Sequence, residues 1–232
     1  MSKIARATVI GLTALLSAPA LQAAGLPGFS LAAETPRISF YSRDHRKVDT
    51  ARTEAYLSRV ESLLGYKLEG RAEYYRYASP EEIAAGTGTY AQGLTFPKAG
   101  QIHSTEEFHA HEIVHLVAGQ LGNPGVFFQE GLAVALGNEG KWRGQRVDKI
   151  AKAKARGLRL STLVSRFERL DPEMAYPLAG SFVGRLIAAH GAAKLAEFFR
   201  AAGSSPVNAE AAFARTFGES LDEAGAKWVA AL

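Results

Sequence analysis

Residues 108–137 read FHAHEIVHLVAGQLGNPGVFFQEGLAVALG, and the reading of the whole chain turns on them. Inside the run, His111-Glu112-Ile113-Val114-His115 is an HExxH. Ser104, with Glu107 three residues on, has the form of a capping box, so a helix is expected from about Thr105 to Leu121. Residues four apart share a helix face, so the imidazoles of His111 and His115 can reach one cation. Neutral imidazole nitrogen suits zinc, and Glu112 stands beside such an ion without having to bind it. From there a carboxylate can take a proton from a water that the ion polarises and return it to a leaving group.

A catalytic zinc site needs a third protein ligand and an open position. The metzincin continuation would require Gly at 118 and His at 121; the chain has Ala118 and Leu121, which excludes it. Gly122-Asn123-Pro124-Gly125 breaks the helix sharply, and a second helix is expected over about Val126 to Leu136, stopped by Gly137. Two antiparallel helices joined by a short turn can face each other. Glu130, early on the second, would then project at the histidine pair and supply the third ligand.

Upstream the pattern is mixed. RISFYS (37–42) alternates as a strand, Asp49 or Thr50 opens a helix that Gly65 closes, and the Tyr-rich stretch 72–77 is a second strand. Ser79-Pro80-Glu81-Glu82 starts a helix with Pro at its first position. Residues 90–96, a turn at 97–100 and residues 101–103 form a hairpin. Downstream, helices are expected at 161–170, 172–190, 192–202, 207–217 and 221 to the end, with Gly191, Gly203 and Gly218 between the last four. A small mixed β-sheet with helices, followed by an all-helical half, is an α+β fold.

The amino terminus reads as an export signal. Lys3 and Arg6 precede an uncharged apolar stretch, 7–21, and small residues follow through Ala23 and Ala24. That stretch is shorter than a spanning helix needs, and Pro19 interrupts it. The expected organisation is a signal peptide at 1–23, a linker at 24–36 and one domain at 37–232, with the sheet and HExxH helix in 37–121 and the helical half in 122–232. The mature chain is expected in the periplasm or secreted, as a monomer without stable membrane insertion. With 232 residues, 47% of them hydrophobic and 22% charged, the composition is globular. Net charge is +4, and Lys3 and Arg6 account for two of those charges, so a nucleic-acid partner is not expected. The absence of cysteine excludes thiol catalysis, Cys-zinc knuckles and disulfides.

HEIVH followed after a short gap by FFQEGLAVALG resembles the gluzincin metallopeptidases, most of all the bacterial peptidase-MA-like group. The segments 176–199 and 212–232 are similar to that group's closing helices. The resemblance implies a zincin-like fold and a zinc hydrolase of peptide bonds acting on a peptide or protein. It makes His111, His115 and Glu130 the ligands and Glu112 the general base. Such enzymes also supply a Tyr or His to the oxyanion, and Tyr176 is the residue the resemblance offers. Residues 91–103 would be the edge that pairs with extended substrate. Many gluzincins carry an Asp four residues after the ligand Glu to orient a histidine; here that position is Val134.

His109 is expected beside the site or at the surface, not as a ligand. His103 is a candidate cleft residue, and His190 suits a helix C-terminus. The basic stretch 141–156 is expected to be solvated and mobile. Two other readings accompany the peptidase: a non-catalytic zinc-binding module of peptidase fold that captures an envelope peptide or partner, and a zinc hydrolase of a non-peptide amide such as a cell-wall linkage.

Overall fold

The computed structural model describes residues 25–232; the expected leader at 1–23 lies outside them. Five strands form one mixed sheet: β1 (Ser30–Glu34), β2 (Ile38–Ser42), β3 (Ala72–Arg76), β4 (Gly93–Phe96) and β5 (Gln101–Ser104). Their order is β1-β2-β3-β5-β4, with β2, β3 and β5 parallel and the two outer strands antiparallel to their neighbours. β1 lies in the stretch expected to be a linker. Its backbone pairs with β2 from Ser30–Ser42 to Glu34–Ser39 while most of its side chains stay exposed, so no apolar alternation marks it in the sequence.

Between the strands run α1 (Thr50–Leu64), capped by Asp49 and closed by Gly65, and α2 (Pro80–Thr87), capped by Ser79. Alternation in the sheet sorts the aromatics. Phe40, Tyr74 and Ile102 face Leu57, Val60 and Leu64 of α1 and the helices beyond, while Tyr75, Tyr77 and Ile83 form a second layer on the outer face.

The helical part is α3 (Ala110–Leu121), α4 (Val126–Leu132), α5 (Val147–Lys154), α6 (Leu160–Arg166), α7 (Pro172–His190), α8 (Ala192–Ala202), α9 (Ala209–Phe217) and α10 (Leu221–Ala230). α3 begins five residues later than the capping-box pattern suggests. The Ser104 hydroxyl is used locally, accepting the Glu106 N–H at 2.9 Å and lying 2.9 Å from His109 Nδ1, so residues 105–109 carry the chain off the sheet as an irregular connection. α4 continues as a π-helical turn, Ala133–Gly137, packed on the start of α3. A Cβ on Gly137 would stand 2.6 Å from His111 Cα, so only glycine admits that approach.

The basic stretch is structured, contrary to expectation. Lys141–Trp142 (β6) and Gln145–Arg146 (β7) make a short ribbon, and α5 buries Val147 and Ala151 against α7 while its lysines face solvent. Among the described residues no helix is long and apolar enough to cross a membrane.

Candidate metal centre

α3 lies between the sheet with α1 on one side and α4 with α7 on the other, and residues 111–118 are buried without a break. Two polar residues in that helix, His111 and His115, point at α4, where the fully buried Glu130 meets them. His111 Nε2 is 3.1 Å from Glu130 Oε2, His115 Nε2 is 3.4 Å from the same oxygen, and the two Nε2 atoms are 3.1 Å apart. The sharp break after α3 and the close α4–α7 crossing set this meeting. A Cβ on Gly131 would stand 2.7 Å from the Ala179 carbonyl oxygen, so glycine next to Glu130 lets α4 sit tight against α7.

Three donors at mutual distances of 3.1–3.4 Å fit a small tetrahedral ion. Bonds of about 2.0–2.1 Å place tetrahedral donors roughly 3.3–3.4 Å apart. Among the described residues these three are the group that could hold a metal. Within the cluster the carboxylate and the imidazoles favour each other's charged forms. Burial alone would raise the Glu130 carboxyl, yet the imidazoles of His115 and His111 hold it down at about 2. Burial also works against a charge on His115, and the Glu130 carboxylate outweighs it and raises that imidazole's pKa.

Glu112 is turned toward β4. Its Oε2 accepts from the Thr95 hydroxyl at 2.7 Å, and its Oε1 is 3.9 Å from His109 Nε2. His109 stands just ahead of α3, beside Glu112 and outside the three-donor group. Burial lowers its pKa. Tyr176, in the first turns of α7, lies under the Trp142 ring and is almost wholly buried. Burial, and after it the charges of Glu130 and Glu112, push its phenol well above the usual range, so it stays protonated. A cavity of about 980 Å³ opens beside the centre, lined by His109, His111 and Gly137 and by Arg52, Tyr56 and Phe108 on its far side.

Of the five site residues expected from the sequence, His111, His115 and Glu130 form one cluster, Glu112 turns to Thr95 on β4, and Tyr176 lies under Trp142; other candidates fall elsewhere. His103 is no cleft residue: on β5 it faces the outer layer, bonded to the Tyr77 hydroxyl at 2.8 Å and stacked on Tyr75. Alternation explains this, since Ile102 takes the inward position. His190 ends α7 against Phe217, as a helix C-terminus suits. Val134 is buried against Gly180, and His115 Nδ1 has no hydrogen-bond partner among the described residues. Sequence reasoning missed Thr95 and Trp142. The turn that folds the 93–104 hairpin was legible, but not which neighbour its inward face would meet.

No protein-family model matches this chain, and no curated protein matches it. Solved structures do. The crystal structure of a mutant two-domain M1 zinc metallopeptidase bound to L-tryptophan superposes with a TM-score of 0.51 and 13% identity, over 88% of this chain and 50% of its own. A mutant M1 zinc metallopeptidase from Deinococcus radiodurans aligns with a TM-score of 0.46 and 14% identity, over 88% of this chain and 51% of its own. The chain thus spans about half the length of the solved chains it matches. Its fold is α+β, similar to that of an M1 zinc metallopeptidase, with a buried His–His–Glu cluster able to hold a metal where the sheet half meets the helical half.

Proposed function

We propose that this chain is an exported zinc metallopeptidase of gluzincin type, nearest the peptidase-MA-like group, acting on a peptide or protein in the periplasm or outside the cell. The observation that carries this reading is the convergence of His111, His115 and Glu130 within 3.4 Å of one another, with Glu112 next to them in sequence. Those three residues would hold zinc, which when bound supplies a Lewis acid for the scissile carbonyl and a more acidic water.

The chain's own groups do the rest. Glu112 accepts a proton at Oε1, the oxygen not engaged by Thr95, and hands it to the departing amine. Tyr176, kept protonated by burial and by the two glutamates, donates a hydrogen bond to the oxyanion. β4 forms one edge of the sheet and offers its outer backbone to extended substrate.

Metal content is the first test. Mass spectrometry of tag-free protein should give one zinc per chain, lost in His111→Ala and weakened in Glu130→Ala. Glu112→Gln should keep the zinc and lose hydrolysis of a peptide library; hydrolysis that persists in that variant would sink the mechanism.

A second reading has its own observation. His115 Nδ1 lacks the carboxylate or carbonyl that usually fixes a ligand histidine, and Val134 stands where such an acid would be. A peptidase fold that binds zinc and captures an envelope peptide without turnover would tolerate this. One zinc per chain with no cleavage of peptide or murein, together with complementation by Glu112→Gln, would support that module.

A further inference from the structure

The Thr95 side chain on β4 reaches Glu112 on α3. It is almost completely buried, and its hydroxyl lies 2.7 Å from Glu112 Oε2 and 3.1 Å from the carbonyl oxygen of the same residue. A hydroxyl has a single proton, and the shorter, charge-assisted contact to the carboxylate is the one it makes. The carbonyl of Glu112 is held close as a second acceptor, so the contact fixes the side chain relative to its own helix turn.

The register of the hairpin explains why this position is 95. β4 pairs with β5 so that Gly93 opposes Ser104 and Thr95 opposes Ile102, the inward residue of β5. Positions 93 and 95 share the face toward α3. At 93 a Cβ would stand 2.6 Å from Glu112 Oε1 and 2.3 Å from His109 Cε1, so glycine there leaves the room the carboxylate occupies. Gly-x-Thr on this strand is thus a seat for a carboxylate: space at one oxygen, a donor at the other.

We infer that Thr95 is the positioning residue of Glu112, and that β4 couples substrate seating to the placement of the base. The inference rests on Glu112 acting as a base under the function proposed above. β5 covers one side of β4, and no other strand pairs with it among the described residues. A peptide laid along the outer edge therefore docks on the element that also holds the base. A shift of β4 moves both together, which keeps the scissile bond and the carboxylate in register.

The experiment compares wild type, Thr95→Val and Thr95→Ser, all zinc-loaded, on fluorescein-labelled casein, with zinc content and melting temperature alongside. Val has the shape of Thr without the donor, and Ser keeps the donor. Thr95→Val should lower kcat by about tenfold or more with KM and zinc content little changed, and Thr95→Ser should recover most of it. A second readout needs no turnover. The side-chain carboxyl carbon-13 resonance of Glu112, assigned by its loss in Glu112→Gln, should move in Thr95→Val and stay near its wild-type position in Thr95→Ser. If wild type cleaves nothing, the peptidase reading fails and this resonance alone decides the contact. An unmoved resonance in Thr95→Val, or equal kcat in wild type and Thr95→Val, overturns the inference. If Thr95→Val does not fold, a Thr95→Ser protein with lost turnover and a displaced resonance overturns it as well.

Discussion

Trp142 lies flat against Tyr176, with ring centroids 4.8 Å apart and 22° between the planes. The indole comes from the short β6–β7 ribbon and the phenol from α7, so the ribbon covers Tyr176. Phe167 closes a third side at 5.3 Å. Tyr176→Phe removes only the hydroxyl from this stack. It should fold and bind zinc as wild type does and lose roughly 10²–10³ in kcat, measured on a cleavable peptide. Trp142→Ala should lose turnover too, but by loosening the stack. Its mark is a loss of about 3–5 kcal/mol of stability, seen as a lowered melting temperature, alongside the lost activity.

Gly137 carries the π-helical turn over the first turn of α3. Gly137→Ala places a methyl 2.6 Å from His111 Cα, backbone that cannot move without moving the ligand. Stability should fall by about 1–3 kcal/mol. Zinc affinity should fall with it, measured by competition with a chromophoric chelator, and by more than in a core variant of equal instability placed far from α3.

His103 gives the fold a pH dependence of its own. Burial lowers its pKa from 6.5 to about 4, so the folded state keeps it neutral where the unfolded chain protonates it. Its Nε2 has no partner among the described residues, so no acceptor at that nitrogen favours the charge. The unfolded state therefore binds the extra proton, and stability is full above about pH 6.5 and falls as pH drops toward 4, by on the order of 3 kcal/mol. Chemical denaturation at several pH values should show a flatter profile over this range for His103→Leu than for wild type.

Asp222 ties the start of α10 to α6. Its carboxylate accepts from the Ser161 N–H at 2.9 Å and the Ser161 hydroxyl at 3.0 Å, with Arg159 alongside. The Ser161 backbone bond leads these in holding its pKa at about 2, below the ordinary 3.8. A depressed carboxyl stabilises above the unfolded value and loses that contribution as pH falls from about 4 toward 2. Asp222→Asn should be less stable at neutral pH, and the gap to wild type should close in acid, as read from melting curves.

The order of strands and helices was legible in large part because local chemistry agrees with the final structure. Asp49, Ser79, Gly65, Gly191 and Gly218 begin or end helices as their capping habits require. Where local and tertiary demands differ, the sequence misleads. Ser104 with Glu107 has the form of a cap, yet the tertiary structure sets the Ser104 hydroxyl beside His109. β1 exists because β2 offers it a backbone to pair with, a partnership that no side-chain pattern records.

The candidate metal centre divides the same way. HExxH at helical spacing settles that His111 and His115 share a face, because four residues are close to one helix turn, and it places Glu112 beside them in every fold that keeps the helix. That Glu130 closes the trio is a matter of the turn at 122–125 and the tight α4–α7 crossing, which only the packed chain fixes. Which strand would hold Glu112, which ring would lie on Tyr176, and that His103 turns away from the cleft were decided by register and alternation in three dimensions. Spacing along a helix is a property of the backbone alone and survives in the sequence; contacts between elements depend on the surfaces that each happens to bury.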